Sequence, residues 1–235
     1  MKFQVLASGS KGNAYVLSGK GYYILIECGI PLNTLLKKIA RLPDAVLVTH
    51  EHKDHSKAVK GLASMGVPIY CSYGTAFEAG IYGHHNWEHV QHGISCTIPD
   101  TPIYVVGFNV QHDATEPLGF LVTDTEAYKD LLFVTDSANL VVKASPQIAA
   151  IECNWDIETV LESVDSGITH RAALKRLSQT HMGLEVLLRE LPEHLWLDAL
   201  EELYIIHTSS RNANKERIKQ GLRGILASQI KLEVF

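Results

Sequence analysis

Short apolar runs rich in β-branched and aromatic residues recur at the start of the chain, at Phe3–Leu6, Tyr15–Leu17 and Tyr22–Ile26, separated by glycine-containing stretches. Side chains of this kind suit a pleated, half-buried surface and glycine punctuates turns, so the chain opens as a meander of strands. From Thr34 to Arg41 the apolar spacing becomes helical, Pro43 closes that helix, and Ala45–Val48 predicts a buried strand. A helix is predicted over Ser56–Met65. Further strands are expected near Val67–Cys71, Tyr104–Val110, Gly119–Thr123, Leu131–Thr135, Ile148–Ile151 and Leu203–Ile206, and helices at Thr75–Ala79, Arg171–Ser178, Leu184–Leu191 and Asn214–Leu226. Strands lead each half and helices are interspersed. That order predicts an α/β protein in which two sheets carry helices on their outer faces, rather than a bundle or a pure β-barrel. No repeat, linker or low-complexity tract divides the chain, and 235 residues suit a single domain spanning 1–235.

Composition narrows the classes. No run approaches the ~20 consecutive apolar residues of a membrane span, and Met1-Lys2-Phe3-Gln4-Val5 lacks the regions of a signal peptide. The expectation is a cytoplasmic protein that does not engage a membrane. Cys28, Cys71, Cys96 and Cys153 are scattered without a C-x-x-C pair, which suggests neither a disulfide framework nor a cysteine zinc site. A formal net charge of -5 argues against a broad basic surface for long duplex nucleic acid. It leaves open a small anionic substrate or local contact with a strand. The unusual feature is 12 histidines, and their positions carry the chemistry.

In Val46-Leu47-Val48-Thr49-His50-Glu51-His52-Lys53-Asp54-His55 four potential ligands follow a buried strand and precede a helix, so they can gather at one edge of a sheet. Imidazole and carboxylate together suit zinc, manganese or iron. Three single polar residues also close apolar strands: His112 after Phe108–Gln111, Asp136 after Leu132–Thr135, and His207 after Leu203–Ile206. Taken alone each is an ordinary capped strand end. Together with the first cluster they read as ligands brought to one edge from distant segments.

At these residues the chain resembles the metallo-β-lactamase superfamily, whose H-x-H-x-D-H signature stands at His50 to His55, with later single ligands matching His112, Asp136 and His207. The resemblance implies an αββα four-layer sandwich, two central mixed sheets flanked by helices, and two divalent metal ions, zinc first and manganese second. It implies that His50, His52 and His112 hold one ion, that Asp54, His55 and His207 hold the other, and that Asp136 bridges them. Ser8-Gly9-Ser10-Lys11-Gly12-Asn13, His112 to Phe120, Glu152-Cys153-Asn154-Trp155-Asp156 and His207-Thr208-Ser209-Ser210-Arg211-Asn212 resemble the YycJ-like and ribonuclease Z-like phosphodiesterase branch and its compact phage-type relatives. One departure is Glu27, where the family pattern has an Asp that supports the metal site from behind.

The resemblance further implies a binuclear hydrolase of phosphodiesters in nucleotides or nucleic acid, either a nuclease or a cyclic-nucleotide phosphodiesterase. Attack on a phosphodiester needs a proton for the departing oxygen. His181, in Ser178-Gln179-Thr180-His181-Met182-Gly183, is the candidate donor, with Glu152 to orient it and Asp54 as the remaining catalytic residue. Ser8, Ser10 and Asn13 in the Gly-rich turn, and Ser209 and Asn212 beyond His207, are candidate substrate contacts; without the resemblance the turn is equally an ordinary hairpin. Homodimerisation is a family expectation. Thioester or lactone hydrolysis on the same metal pair, and a non-catalytic module stabilised by metal, are the alternatives. A second histidine group, His84, His85, His89 and His92, is broken by Gly83, Asn86 and Gly93 and reads as a solvated loop in which Trp87 rims a pocket or a dimer contact. His170 and His194 read as surface residues.

Overall fold

The glycine-punctuated runs at the start of the chain form an antiparallel meander in the computed structural model, which describes residues 1–167 and 171–235. His170 lies outside the described residues. Strand β1 (Lys2–Ala7) pairs with β2 (Ala14–Gly19) and β2 with β3 (Tyr22–Ile26). The chain then crosses through α1 (Leu32–Lys38) to β4 (Ala45–Leu47), which pairs parallel with β3. Two short helices, α2 (Lys53–Ser56) and α3 (Val59–Ser64), lead to β5 (Ile69–Cys71), and α4 (Tyr73–Ala79) leads to β6 (Trp87–His89). These strands make a six-stranded mixed sheet in the order β1 to β6. An antiparallel ladder of β7 (Ser95–Thr97), β8 (Ile103–Asn109) and β9 (Leu118–Asp124) follows. Together they form a first compact unit, residues 1–109 and 114–129.

The second unit comprises residues 110–113 and 130–235. Its strands β10 (Lys129–Val134), β11 (Ile148–Glu152), β12 (Glu202–Ile206) and β13 (Lys231–Val234) pair parallel in that order. Parallel strands need long crossovers. Helices α5 (Ile157–Asp165), α6 (Arg171–Thr180) and α7 (Leu184–His194) join β11 to β12, and α8 (Lys215–Arg223) joins β12 to β13. The runs Leu131–Val134 and Ile148–Ile151 are wholly buried, as strands covered on both faces must be. Because all four strands run the same way, Asp136, Glu152 and His207 leave the same edge of this sheet.

Several expectations change. The helix over Ser56–Met65 is two helices, because the amide of Ala58 bonds the carbonyl of Cys28 at 2.8 Å and pins the chain between them. The segment around His84–His92 is not entirely a solvated loop: its breakers bound the three-residue edge strand β6, paired to β5. Helix α5 and strands β7 and β13 are additions to the predicted elements. Helix α7 runs past Leu191 and carries Pro192 in its last turn.

Asp156 starts α5 and is almost fully buried. Its Oδ1 accepts from the Thr159 amide and an Arg217 guanidinium nitrogen, each at 2.9 Å, and Oδ2 from the Asn214 amide at 2.7 Å. Burial pushes its pKa up, but the Thr159 and Asn214 amides and Arg217 outweigh that and hold it below the usual carboxylate range. Asp156→Ala is expected to cost about 2–3 kcal/mol near neutral pH, the loss of a cap and of charge-assisted bonds. Because the folded pKa is lowered, the wild-type advantage is complete above the ordinary carboxylate pKa and shrinks as pH falls through the folded value. Urea denaturation of both proteins at pH 7 and near pH 3 checks this; a gap independent of pH contradicts it.

Candidate metal centre

In the first unit the parallel strands β3 and β4 end together, and polar residues follow each. Beyond β4 the chain carries Thr49 and His50 buried, and His52 stands at the N-terminal boundary of α2. The helix therefore begins earlier than expected, with Asp54 and His55 inside its only turn. Gly29 makes this approach possible, since a Cβ there would lie 1.6 Å from the Asp54 carbonyl oxygen. The His50 ring centroid is 4.7 Å from that of His52 and 4.2 Å from that of His55. Donor atoms of His50 and His52 come within 4.8 Å of one another, and so do those of Asp54 and His55.

Glu27, just past β3, is fully buried with a left-handed backbone (φ 62°). Its Oε1 accepts the Thr49 hydroxyl at 2.5 Å and the Thr49 amide at 3.3 Å, and lies 3.4 Å from His55 Nδ1. The Thr49 hydroxyl has one proton, and Glu27 receives it. The 2.8 Å contact between Thr49 Oγ1 and His50 Nδ1 is then a bond donated by the imidazole, which leaves Nε2 of His50 with its lone pair. The longer carboxylate at position 27 thus reaches the histidines from behind, through Thr49. Asn13 supports the same turn: it is fully buried, with Nδ2 3.1 Å from the Asp54 carbonyl oxygen and 3.2 Å from His55 Nε2.

In the second unit the polar residues at the C-terminal edge of the sheet converge. Asp136 and His207 both have left-handed backbones (φ 48° and 53°). Asp136 Oδ1 is 2.8 Å from His207 Nδ1, and its Oδ2 is 3.5 Å from His112 Nε2, so its two oxygens face different imidazoles. His112 Nδ1 lies 2.8 Å from the Thr180 carbonyl oxygen. A carbonyl only accepts, so Nδ1 carries the proton and Nε2 keeps a lone pair that can ligate a metal. Burial lowers the His112 pKa, more than Asp136 beside it raises it.

Glu152, fully buried, is the hub of this set. Its Oε1 is 2.7 Å from His181 Nδ1 and 2.8 Å from His207 Nδ1, and its Oε2 accepts the amides of Ser137 and Met182 at 3.1 and 3.2 Å. Burial pushes Glu152 up, but the charge of His181 and the hydrogen bonds of His181 and His207 together outweigh it, and the carboxyl sits below its ordinary range. Burial pushes His181 down, and the charge and hydrogen bond of Glu152 overcome that to raise it. The Trp155 indole donates to the His181 carbonyl oxygen at 3.0 Å, and Asn154 Nδ2 donates to that of His207 at 2.9 Å. Donor atoms of Asp136, Glu152, His181 and His207 all fall within 4.8 Å of one another.

The remaining candidates fall into other roles. Ser10 is exposed, and the Ser8 hydroxyl is 3.1 Å from that of Tyr15. Ser209 Oγ accepts long bonds from the amides of Arg211 and Asn212 and shapes the turn beyond His207; Asn212 lines a cavity with His181. Glu51 holds a loop, accepting the amide and hydroxyl of Thr115 at 2.9 and 3.0 Å. His84 and His85 stack on each other, His92 Nδ1 accepts the Asn109 amide, and Trp87 packs against Tyr73, Tyr82 and His89. His194 is half-buried against the Glu190 carbonyl. Thr49, Asn154, Trp155 and Thr180 do not stand out as site residues in the sequence, although Thr49 and Thr180 each directly precede a histidine of the set.

The donor chemistry fits divalent ions: imidazole nitrogens with one tautomer fixed, beside carboxylates, at strand ends. Comparison with known proteins agrees. The family described as "Beta-lactamase superfamily domain" matches residues 22–190. Exodeoxyribonuclease WalJ of Streptococcus pneumoniae is 29% identical over 240 residues, covering 92% of this chain and 84% of that one. Exodeoxyribonuclease YycJ of Bacillus anthracis is 26% identical over 256 residues, covering 96% and 89%. Among solved structures, the metallo-beta-lactamase fold protein YhfI from Bacillus subtilis superimposes with a TM-score of 0.71 at 15% identity, covering 99% of this chain and 95% of that one. The α/β class and the metallo-β-lactamase fold are therefore as expected.

The Glu27–Thr49–His50 relay makes a prediction. Thr49→Val removes the hydroxyl that links a buried carboxylate to an imidazole. It is expected to cost about 1–3 kcal/mol of stability and to weaken divalent-metal affinity roughly 10- to 100-fold, with Thr49→Ser restoring both. Titration against a fluorescent chelator and a denaturant curve read the two effects; unchanged metal affinity in Thr49→Val would remove the relay from the site.

Proposed function

The chain belongs to the beta-lactamase superfamily, and from that premise we propose that it is a metal-dependent hydrolase of phosphodiesters in DNA strands. Two curated relatives spanning most of its length carry exodeoxyribonuclease names. The observation that carries the reading is the 2.7 Å contact between the buried Glu152 and His181, which also lies 3.7 Å from Asp136. A hydrolase that relied on metal alone would not require a carboxylate-backed imidazole beside its donors.

The residues that would hold two ions are His50, His52 and His112 for one and Asp54, His55 and His207 for the other, with Asp136 shared. Zinc is the proposed metal and manganese the second choice, since nitrogen and carboxylate donors suit both. When bound, such a pair lowers the pKa of a shared water and draws charge from the phosphoryl oxygens. His181 gives Nδ1–H to Glu152 and, as the imidazolium, presents Nε2–H to the departing oxygen. Glu152 fixes the ring and favours its protonated form, and Asn154 holds the turn of His207. Ser8, Ser10, Ser209 and Asn212 are proposed to contact substrate, while the part of Asn13 is to position Asp54 and His55. Both compact units serve one catalytic domain, 1–235. No described helix is long and apolar enough to cross a membrane. A cytoplasmic location belongs to the same reading, supported by four free thiols. The expected homodimer is decided by light scattering on the same preparation.

Hydrolysis of bis(p-nitrophenyl) phosphate, a cyclic nucleotide and single-stranded DNA, with zinc or manganese, tests the proposal. The strand is expected to be the preferred substrate, and Asp54→Ala to abolish turnover. His181→Ala is expected to lower kcat on DNA by about 10²–10⁴-fold. The same variant is expected to lose much less on the nitrophenyl ester, whose leaving group departs without a proton. Equal losses on both would remove His181 as the proton donor. Preference for the cyclic nucleotide would replace the nuclease by a cyclic phosphodiesterase, and turnover of thioesters or lactones alone would replace phosphodiester chemistry altogether.

A further inference from the structure

A cavity of about 220 Å³ opens within the second unit, lined by Arg176, Leu177, Thr180, His181 and Asn212. It is smaller than the ~300–1,000 Å³ pockets that enclose whole ligands, so it suits part of a larger one. Four of its five lining residues come from the last five residues of α6 and the residue after them. Arg176 and Thr180, and likewise Leu177 and His181, are four apart and share a helix face. The turn is held firmly at its end: the Thr180 carbonyl meets His112, the Trp155 indole meets the His181 carbonyl, and the His181 amide bonds the Leu177 carbonyl at 2.9 Å.

Among the described residues that line this cavity, Arg176 is the one permanent cation beside His181. Its side chain is 75% exposed and reaches Asp113 Oδ2 through Nε at 3.3 Å and a terminal nitrogen at 3.0 Å. An exposed pair of this kind is held weakly. A guanidinium fork binds a phosphate as readily as a carboxylate, so Arg176 can exchange one for the other.

We propose that this cavity is the subsite for the departing portion of the strand, and that Arg176 binds the first phosphate beyond the scissile bond there. The subsite rests on the hydrolase proposed for the metal centre. A proton donor must adjoin the oxygen that leaves, so whatever leaves lies against His181, and the cavity is a space that His181 lines. In the step itself the oxygen of water forms a bond to phosphorus as the phosphorus–oxygen bond to the departing portion breaks. The departing oxygen takes the proton of His181 Nε2, and the imidazole is reprotonated from the proton that water gives up, leaving a phosphomonoester and an alcohol. A strand supplies a further phosphate on that alcohol, whereas a cyclic nucleotide or a simple ester does not. Leu177 offers an apolar wall to sugar or base, and Asn212 a polar side chain. Arg176 thereby selects polynucleotides over small phosphodiesters.

The test compares wild type with Arg176→Ala and Arg176→Lys on two substrates: a single-stranded oligothymidylate, and the p-nitrophenyl ester of thymidine 5′-phosphate, whose leaving group carries no phosphate. Arg176→Ala is expected to raise KM for the oligonucleotide roughly tenfold, as loss of a charge-assisted contact does, and to leave kcat/KM on the ester within about twofold. One phosphate contact fewer also reduces the slope of log kcat/KM against log salt by about 0.7 on the strand. Arg176→Lys keeps the slope and part of the affinity. Losses of equal size on both substrates, or an unchanged KM for the strand, overturn the subsite while wild-type turnover leaves the hydrolase intact. If wild type cleaves neither substrate, the hydrolase reading falls and the subsite falls with it. A thermal melt of Arg176→Ala matching wild type shows that the exposed side chain is not needed for folding.

Discussion

A carboxylate taken wholly out of water survives as an anion only where donors inside the protein replace the solvent it has lost. Glu152 is in that position, and its four donors come from separate parts of the second unit: the Ser137 amide after β10, the Met182 amide after α6, and the imidazoles of His181 and His207. One side chain thus ties the ends of β10, β11 and β12 to the junction of α6 and α7. The same bonds set the state of the histidines. Glu152 supplies the charge that raises His181 against its burial, and it fixes the tautomer of His207. Stability and the proposed chemistry here rest on the same group, and removing it would leave buried donors unmet as well as the proposed proton donor unaimed.

The geometry around that group comes with backbone strain. Among the described residues five non-glycine positions have positive φ, and three of them are Glu27, Asp136 and His207. Each follows the end of a parallel strand. Left-handed backbone is uncommon outside glycine and less foreign to aspartate and histidine than to glutamate, at roughly 1–3 kcal/mol per residue. It persists where the surroundings over-determine it, and they do: Thr49 holds Glu27, His207 holds Asp136, and Asn154 holds His207. Reversing the chain direction directly after a strand sets these polar residues at the strand ends, where a continued strand would carry them onward.

The main elements and the donor set were legible because the sequence changes character abruptly at them. A buried apolar run that ends in His50-Glu51-His52-Lys53-Asp54-His55 admits few readings, and His112, Asp136 and His207 stand out as polar residues closing apolar strands. What could not be read was whatever depends on contacts between distant segments. The break between α2 and α3 comes from a bond to Cys28, and nothing local in Ser56–Met65 announces it. Strand β6 is three residues long and exists only by pairing with β5. Helix α5 hides because Asp156, its cap, also serves Asn214 and Arg217 on the far side of β12. Glu27 was visible as a departure from a pattern, but only the Thr49 hydroxyl between it and His50 explains how a longer acid is accommodated.

Both units solve the same problem with the same device. Each sets a buried glutamate behind its imidazoles, Glu27 through Thr49 and Glu152 directly, and on His50 and His207 the proton is placed on Nδ1 so that Nε2 keeps its lone pair. The backing is graded. His207 has a carboxylate in direct contact, His50 feels one through a hydroxyl, and His112 has only the neutral Thr180 carbonyl behind its Nδ1. An imidazole backed by an anion is the more basic ligand, so on the proposed assignment the ion sharing His207 is held by the more electron-rich donors and that sharing His50 and His112 by poorer ones. Within the second unit two carboxylates, Asp136 and Glu152, stand against one imidazole, His181, that Glu152 draws toward its charged form. Donors arranged in this way offer little attraction to a polyanion by themselves, so on the proposed function recognition of a strand falls to cations outside the donor set, such as Arg176 on the cavity that His181 lines.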